Sequence, residues 1–177
     1  ARAVTTGGDA LVIGSTRIKE RGKVLVRGKT ASPGAGQGKV HIIASAHNLD
    51  EFSSGEVLVT DMTDPDWVPA MRKASAIVTN RGGANCHAAI VARELGVPCV
   101  IGTKNATEVL EGVKEVTVGD GGEHGEVMEG LLPLERVSTD LRNTLCLKRE
   151  IKTKVMLNLA DPYTAPKSSF YPNDGIG

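Results

Sequence analysis

Between Glu56 and Ile101 the sequence alternates short apolar runs with helix signals, and this alternation constrains the fold more than any other feature. The runs at Glu56–Thr60, Ala76–Thr79 and Pro98–Ile101 have the length of strands. Segments with helix signals separate the three runs. Strands and helices that alternate at this spacing are typical of a sheet covered by helices. The sequence therefore predicts an α/β fold.

Both helices carry end signals. Asp64 can cap the first helix, and Pro65 suits its first position because no backbone N–H is needed there. The second helix is expected from Cys86 to Leu95. Gly96 follows it, and glycine readily adopts the left-handed conformation that commonly ends a helix. The two helices are thus predicted with defined boundaries.

The regions that flank this unit are expected to be rich in strands. Residues 1–28 alternate glycines with short β-branched runs and are interpreted as a strand-rich lead-in. A turn is expected at Ala31–Gly34, followed by a strand at Gly38–Ala44. Further β structure is expected at Lys114–Val118 and Glu126–Met128.

The carboxyl-terminal part is expected to leave this domain. From Leu131 to Thr153 the sequence is polar and punctuated by leucines, which suggests a linker helix. The apolar run Lys154–Leu159 predicts a strand whose partners lie outside the chain. The chain opens at Ala1 without a methionine and stops at Asn173–Gly177, where a turn is expected. We therefore expect a piece of a longer polypeptide.

Composition narrows the function classes. The 21 basic and 21 acidic residues balance, and aromatic residues make up 3% of the chain. Nucleic-acid surfaces usually need a concentrated basic face, so no nucleic-acid partner is expected. A secretory signal or an apolar run long enough to span a bilayer is not seen in the sequence. These features predict a cytoplasmic protein with no membrane partner.

The cysteines do not form a recognisable framework. The chain has three cysteines, an odd number without CxxC spacing: Cys86, Cys99 and Cys146. This pattern indicates free thiols in a reducing compartment. A zinc site built from two of these cysteines with His87 and His124 would lack a known ligand spacing. No metal site is predicted in this chain.

The candidate chemistry lies where a glycine-rich loop delivers His87 to the first turn of a helix. Backbone N–H groups and the dipole at a helix start favour an anion such as a phosphoryl group. The same positive end disfavours an imidazolium, so a neutral ring with a nucleophilic nitrogen is expected. Gly82 and Gly83 would leave room for a large phosphorylated substrate. A histidine that only caps or packs is the alternative interpretation.

A helical wheel places His87 at the edge of the buried face. Ala88, Val91 and Leu95 form the expected inward stripe, while Arg93 is expected to point away. His87 can therefore be anchored and still exposed. Adjacent residues on a helix do not face each other, so Cys86 and His87 are not expected to form a nucleophilic pair. We interpret Cys86 as a small buried residue.

Polar residues around the loop have two interpretations each. Arg81 could guide a phosphate with its guanidinium, or it could be a solvated loop residue. Asp61, Asp64 and Asp66 could bind Mg²⁺, although capping and turn roles explain them.

Three runs of the sequence resemble one known domain. They are Thr60-Asp61-Met62-Thr63-Asp64-Pro65-Asp66-Trp67, then Ala76-Ile77-Val78-Thr79-Asn80-Arg81-Gly82-Gly83, then Cys86-His87-Ala88-Ala89-Ile90-Val91-Ala92-Arg93-Glu94-Leu95-Gly96-Val97-Pro98. With Ser32-Pro33-Gly34, they resemble the swivelling phosphohistidine domain of the phosphoenolpyruvate synthases (pyruvate, water dikinases) within the PEP-utilising enzyme family. The resemblance covers nearly all of residues 29–130.

The resemblance implies a division of the chain. Residues 1–28 would follow an absent ATP-binding domain, and residues 29–131 would form the swivelling β/β/α phosphohistidine domain. Residues 132–153 would be a mobile linker. Residues 154–177 resemble the truncated start of the (β/α)8 barrel that binds phosphoenolpyruvate and pyruvate in this family.

The resemblance also implies an activity. His87 would take the β-phosphoryl group of ATP and pass it to pyruvate, which yields phosphoenolpyruvate, AMP and phosphate. Mg²⁺ would be bound in the absent domains. The implied partners are an ATP-grasp-type nucleotide domain and the barrel of the same polypeptide. The resemblance is also compatible with a homodimer formed through the barrel. Alone, the chain would be catalytically incomplete.

The site residues implied beside His87 are Arg81, Gly82, Gly83, Asn85 and Cys86. Asn85 departs from the threonine that the family usually has at this position, and either side chain could hydrogen-bond the ring or a phosphoryl oxygen.

Two other interpretations stay open. The domain could serve another PEP-utilising enzyme, such as pyruvate phosphate dikinase or enzyme I of the sugar phosphotransferase system. It could also be a docking module without chemistry, an interpretation that Asn85 alone raises.

Overall fold

A computed structural model describes residues 4–7, 10–121, 124–140, 154, 156–157 and 174–176. The chain forms two compact units, one of Ser15–Val137 and one of Arg2–Gly14 with Ser138–Gly177. Within these described ranges, no helix is long and apolar enough to cross a bilayer.

The strands are numbered β1 to β12 along the described part of the chain. They are β1 Val4–Gly7, β2 Ala10–Ile18, β3 Val24–Ser32, β4 Ala35–Ile42, β5 Val57–Thr60, β6 Ala76–Thr79, β7 Cys99–Ile101, β8 Glu115–Asp120, β9 Gly125–Glu129, β10 Leu134–Asp140, β11 Met156–Leu157 and β12 Gly175–Ile176. The helices are α1 Val68–Lys73, α2 His87–Leu95 and α3 Ala106–Val109, and short 3-10 helices occupy Ala46–Glu51 and Pro65–Trp67.

Seven of these strands close into a barrel in the order β3-β7-β6-β5-β4-β8-β9. The segment from β4 to β7 is parallel, whereas β8 and β9 pair antiparallel with each other and with β4 and β3. A mixed α/β architecture is therefore confirmed, with its sheet closed on itself.

The central strands are buried on both faces, which explains their continuous apolar runs. On β5, Val57 and Val59 belong to the cluster that fills the barrel, while Leu58 belongs to a cluster with the helices. That second cluster includes the buried Trp67 and the alanines of α2. Helices α1 and α2 thus pack on the outside of the parallel strands.

Most element boundaries predicted for residues 56–101 are confirmed. Strands β5, β6 and β7 lie in the three apolar runs, and the side chain of Asp64 caps the 3-10 helix that leads into α1. Helix α2 ends at Gly96, which has a φ of 67°. Farther out, β3 continues through Ser32, so the turn is shorter than expected and β4 begins at Ala35.

The prediction of a linker helix at residues 131–153 is wrong for the part that the structure describes. Leu134–Asp140 forms strand β10, in a sheet of order β1-β2-β10. The β-branched residues Val137 and Thr139 favour a strand, and they outweigh the weak leucine spacing. The remainder of the expected helix, residues 141–153, lies outside the described residues.

The second unit corrects a further expectation. Strand β11 pairs in parallel with β12, Met156 opposite Gly175 and Leu157 opposite Ile176. The strand expected after Lys154 therefore has a partner inside the chain, and the chain end forms that strand where a turn was expected. Strand β1 pairs antiparallel with β2 in the same unit, Val4 opposite Ile13.

Candidate functional site

His87 lies at the carboxyl edge of the parallel strands. It is the first residue of α2, and the extended backbone of Cys86 forms the helix N-cap. The half-buried His87 ring thus sits at the start of a helix, beside the loop that leaves β6. Fully buried alanines at positions 88, 89 and 92 anchor the helix, with Val91 and Leu95 partly buried. The inward stripe is therefore rotated slightly from the expected one.

One nitrogen of the His87 ring is held by a hydroxyl group. Nδ1 lies 2.9 Å from Oγ1 of Thr63, a buried residue in the loop after β5. When Nδ1 carries the proton and donates it to this oxygen, Nε2 bears the free electron pair. The hydroxyl can also donate, so the contact fixes the orientation of the ring and is compatible with the tautomer in which Nε2 is the nucleophile.

The two glycines of the loop have different surroundings. Gly82 has a φ of +131°, and a Cβ there would lie 2.7 Å from Sγ of Cys86. A Cβ on Gly83 would meet no atom within 4 Å. The carbonyl of Gly83 accepts a hydrogen bond of 2.9 Å from the N–H of Cys86. Gly82 is thus required by the backbone, whereas Gly83 borders open space.

The start of the loop is braced by the segment after β7. The carbonyl of Thr79 accepts from both the N–H and the hydroxyl of Thr103, at 3.1 and 2.9 Å. The N–H of Lys104, whose φ is 74°, donates to the carbonyl of Asn80. The hydroxyl of Thr79 donates to the carbonyl of Arg81 at 2.7 Å. These bonds fix the point at which the loop leaves the sheet.

Arg81 is exposed and forms an ion pair with Asp61. Its Nε lies 2.8 Å from Oδ2 of Asp61, and Nη2 contacts the same oxygen. The hydrogen bond to Arg81 and the guanidinium charge lower the pKa of Asp61, and the hydrogen bond to Asp61 and the carboxylate charge raise the pKa of Arg81. Arg81 is therefore a loop residue with a carboxylate partner, which neither sequence interpretation included.

Arg93 does not simply point away from the protein, as the helical wheel suggested. It is exposed, but its Nε donates to the carbonyl of Ala31 at 3.1 Å and its Nη2 donates to the carbonyl of Ala84. The long arginine side chain folds back along the helix surface toward both carbonyls. Arg93 thus contacts the glycine loop.

For the remaining candidates, no hydrogen bond to the His87 ring is found in the described part of the chain. Asn85 is exposed, and no hydrogen bond to His87 is found for it among the described residues. Cys86 is half-buried and packs on the helix-side cluster, whereas Cys99 is buried in β7, where burial raises its thiol pKa. Within the described ranges, no group of three or more His, Cys, Asp or Glu side chains is arranged to hold a metal ion.

The other histidines described lie away from the loop. Nδ1 of His41 on β4 lies 2.7 Å from Oε2 of Glu56, which also accepts from the N–H of Ser53. Burial opposes ionisation of Glu56, but these two partners outweigh it and lower its pKa. His47 and His124 are exposed. His41 therefore lies on a strand, and His47 and His124 lie at the surface.

Sequence reasoning missed Thr63 and Arg93 as neighbours of the site. Thr63 follows β5 and His87 follows β6, and the carboxyl ends of adjacent parallel strands meet at one edge of a sheet. Polar residues just after predicted strands were therefore a usable signal for Thr63. The sequence carried no comparable signal for Arg93, because its partners are backbone carbonyls.

Known proteins are similar to this chain in sequence. Residues 52–123 match the family described as PEP-utilising enzyme, mobile domain. The phosphoenolpyruvate synthase of Aquifex aeolicus is 45% identical over 160 residues, which cover 90% of this chain and 18% of that protein. The Neisseria meningitidis enzyme of the same name is 48% identical over 87% of this chain and 19% of its own length.

The chain spans about a fifth of the length of these relatives. A solved structure of aconitase X from Thermococcus kodakaraensis is 15% identical, covers 59% of this chain and 98% of its own, and has a TM-score of 0.41, a similarity too low to support a conclusion. The sequence matches are far stronger. Residues 52–123, which include the strand-to-helix unit that carries His87, are similar to the mobile domain of PEP-utilising enzymes, and the chain resembles the phosphoenolpyruvate synthases over most of its length.

Proposed function

We propose that this chain carries a phosphoryl group on His87 as part of a phosphoenolpyruvate synthase. The observation that supports this most directly is the hydrogen bond between Nδ1 of His87 and Thr63 at the start of α2. It orients a half-buried imidazole and leaves Nε2 for chemistry. The names of the relatives supply the reaction class.

The chemical step is a phosphoryl transfer to nitrogen. The electron pair of Nε2 attacks phosphorus while the bond from phosphorus to the leaving oxygen breaks, and that oxygen keeps the bonding electrons. Positive charge then develops on the ring, and the Nδ1 proton is shared with the hydroxyl of Thr63. N–H groups at the start of α2 favour the negative phosphoryl oxygens. Transfer to the acceptor reverses these steps.

The full reaction needs more than the described residues. ATP, pyruvate and water would give phosphoenolpyruvate, AMP and phosphate, with the β-phosphoryl group passing through His87. Mg²⁺ and both substrate pockets would belong to a nucleotide domain and a barrel elsewhere in a cytoplasmic polypeptide. The proposal includes the division into residues 1–28, 29–131, 132–153 and 154–177, the last of which would begin the (β/α)8 barrel.

The roles of the neighbouring loop residues are also part of the proposal. Gly83 would leave the approach to the ring free of side chains, since its surroundings are open. Gly82 and Cys86 would shape the turn, and Asn85 would contact the phosphoryl group in place of the family's threonine. Arg81 would add positive charge near the loop, reduced by its pairing with Asp61.

The test is covalent labelling of the histidine. The chain is incubated with Mg²⁺, phosphoenolpyruvate and the barrel part of a relative, or with ATP and its nucleotide part. Intact-mass measurement should show an acid-labile, base-stable phosphate on the wild type and on His47→Ala, which removes an exposed histidine. His87→Ala should stay unlabelled.

Each outcome decides between interpretations. Equal labelling of wild type and His87→Ala would refute the assignment. Labelling from phosphoenolpyruvate but never from ATP would favour enzyme I of the sugar phosphotransferase system. No labelling from either donor would favour a docking module without chemistry.

A further inference from the structure

Arg93 joins the glycine loop, residues 81–86, to the wall of the barrel. It lies in the last turn of α2, and its side chain reaches back to the loop that precedes this helix. Its Nε donates to the carbonyl of Ala31 on β3, and its Nη2 donates to the carbonyl of Ala84 in the loop. One guanidinium therefore bridges two backbone segments that are far apart in the sequence.

On the barrel side, Arg93 contacts the carbonyl of Ala31, which lies at an irregularity in β3. Thr30 pairs with Val100 and Ser32 pairs with Cys99, and the register shifts between these two pairs. Ala31 therefore has no residue opposite it on β7. A residue at such a bulge is left out of the regular ladder, so its carbonyl is available to a side chain. Bulges of this kind are often found beside functional sites.

We propose that Arg93 is a positioning residue that holds the glycine loop open for phosphoryl transfer at His87. A carbonyl oxygen that faced an incoming phosphate would repel its negative oxygens. The carbonyl of Ala84 is instead held by the guanidinium and is not free to turn toward the ligand. The inference rests on the function proposed above for His87, and it adds the residue that controls access to the ring.

The geometry requires an arginine. The guanidinium presents several N–H donors in a rigid fork, so it can reach two carbonyls at once. A lysine ammonium has one nitrogen on a flexible stem and can hold one of them well. Arg93→Lys should therefore keep the charge and lose the bridge.

The experiment uses the 177-residue chain and phosphoramidate, a small donor that needs no other domain. The rate of His87 phosphorylation is measured by intact mass for wild type, Arg93→Ala and Arg93→Lys. Hydrogen exchange of the amides at 82–86 is followed in parallel, and thermal melts confirm folding. Arg17→Met, which removes an exposed arginine of β2, is the matched control.

We expect Arg93→Ala to react about tenfold more slowly, given the strength of charged hydrogen bonds, and to exchange its loop amides faster. Added guanidinium ion should restore both properties in Arg93→Ala but not in Arg93→Lys. A purely structural role would lower the melting temperature without specific rescue by guanidinium.

Two results would overturn the inference or separate it from the proposed function. Wild-type rates and unchanged loop exchange in both Arg93 variants would overturn it, and so would loss of reactivity without any rescue. If wild type itself takes no phosphate on His87, the proposed function fails. The exchange measurement would then still show whether Arg93 braces the loop.

Discussion

Gly82→Ala should disturb the loop in front of His87, although the substitution adds one methyl group. Gly82 has a φ of +131°, a region that residues with a Cβ rarely adopt. The new Cβ would also lie 2.7 Å from Sγ of Cys86 and 3.4 Å from its Cβ. Backbone strain and a steric overlap therefore act together at this position.

The magnitude follows from these two contributions. A residue held in a sparsely populated backbone region costs about 1–3 kcal/mol. Overpacking against a neighbouring side chain typically adds about 1–3 kcal/mol, and the lower end applies here because Sγ can rotate. We expect a loss of about 2 kcal/mol in the free energy of unfolding. For a chain of this size, that corresponds to a fall in melting temperature of about 4–8 °C.

Gly83→Ala is the matched control one position along. Its Cβ would meet no atom within 4 Å, and its φ is not positive. Alanine at this position reduces the conformational freedom of the unfolded chain and adds no strain to the folded one. Gly83→Ala should therefore leave the free energy of unfolding unchanged or raise it by up to about 1 kcal/mol. The double variant Gly82→Ala with Cys86→Ala should recover the steric part of the loss but not the strain.

Urea denaturation measures the free energy of unfolding of both variants, and thermal melts measure their melting temperatures. Phosphoramidate labelling measures the reactivity of His87. Gly82→Ala should lose stability and reactivity together. If Gly82→Ala and Gly83→Ala unfold at the same temperature, the assigned loop conformation is wrong. Full recovery in the double variant would instead show that sterics alone matter.

Three further predictions test single contacts. Thr63→Val should slow labelling of the histidine by about tenfold, while Thr63→Ser should keep the hydroxyl and the rate; equal rates in both variants would contradict this. Asp64→Ala should lower the free energy of unfolding by about 0.5–2 kcal/mol in urea titrations, and Asp64→Ser should recover most of it. The pKa of Glu56 is lower in the folded chain than its ordinary value of 4.5, so ionised Glu56 stabilises the fold above pH 4.5. This contribution is lost as the pH falls through the pKa of the folded state. The stability difference between wild type and Glu56→Gln should therefore shrink in acid, and a difference independent of pH would contradict it.

The sequence predicted the elements whose signals are local. The strands of residues 56–101 are short apolar runs, and the helices between them are bounded by Asp64 and Gly96. Each signal lies within a few residues of the element that it defines. The position of His87 at the start of a helix was predicted for the same reason, from the glycines before it.

Features that depend on distant segments were not predicted. Closure of the barrel requires β3 to pair with β9 and β4 to pair with β8, and nothing local encodes which distant strands meet. The bulge at Ala31 and the bridge through Arg93 also arise from tertiary contacts. Strand β10 was missed because the leucine spacing of residues 131–153 resembled that of a helix, and the sequence did not show which strands β10 would pair with.

Closure of the barrel has a consequence for the strand edges that the domain exposes. Each barrel strand is hydrogen-bonded to two other strands, so the barrel has no edge strand. Exposed strand edges are the usual route to aggregation and unwanted strand addition. A domain built this way can expose the surface of its barrel without presenting an edge strand to which other chains could pair.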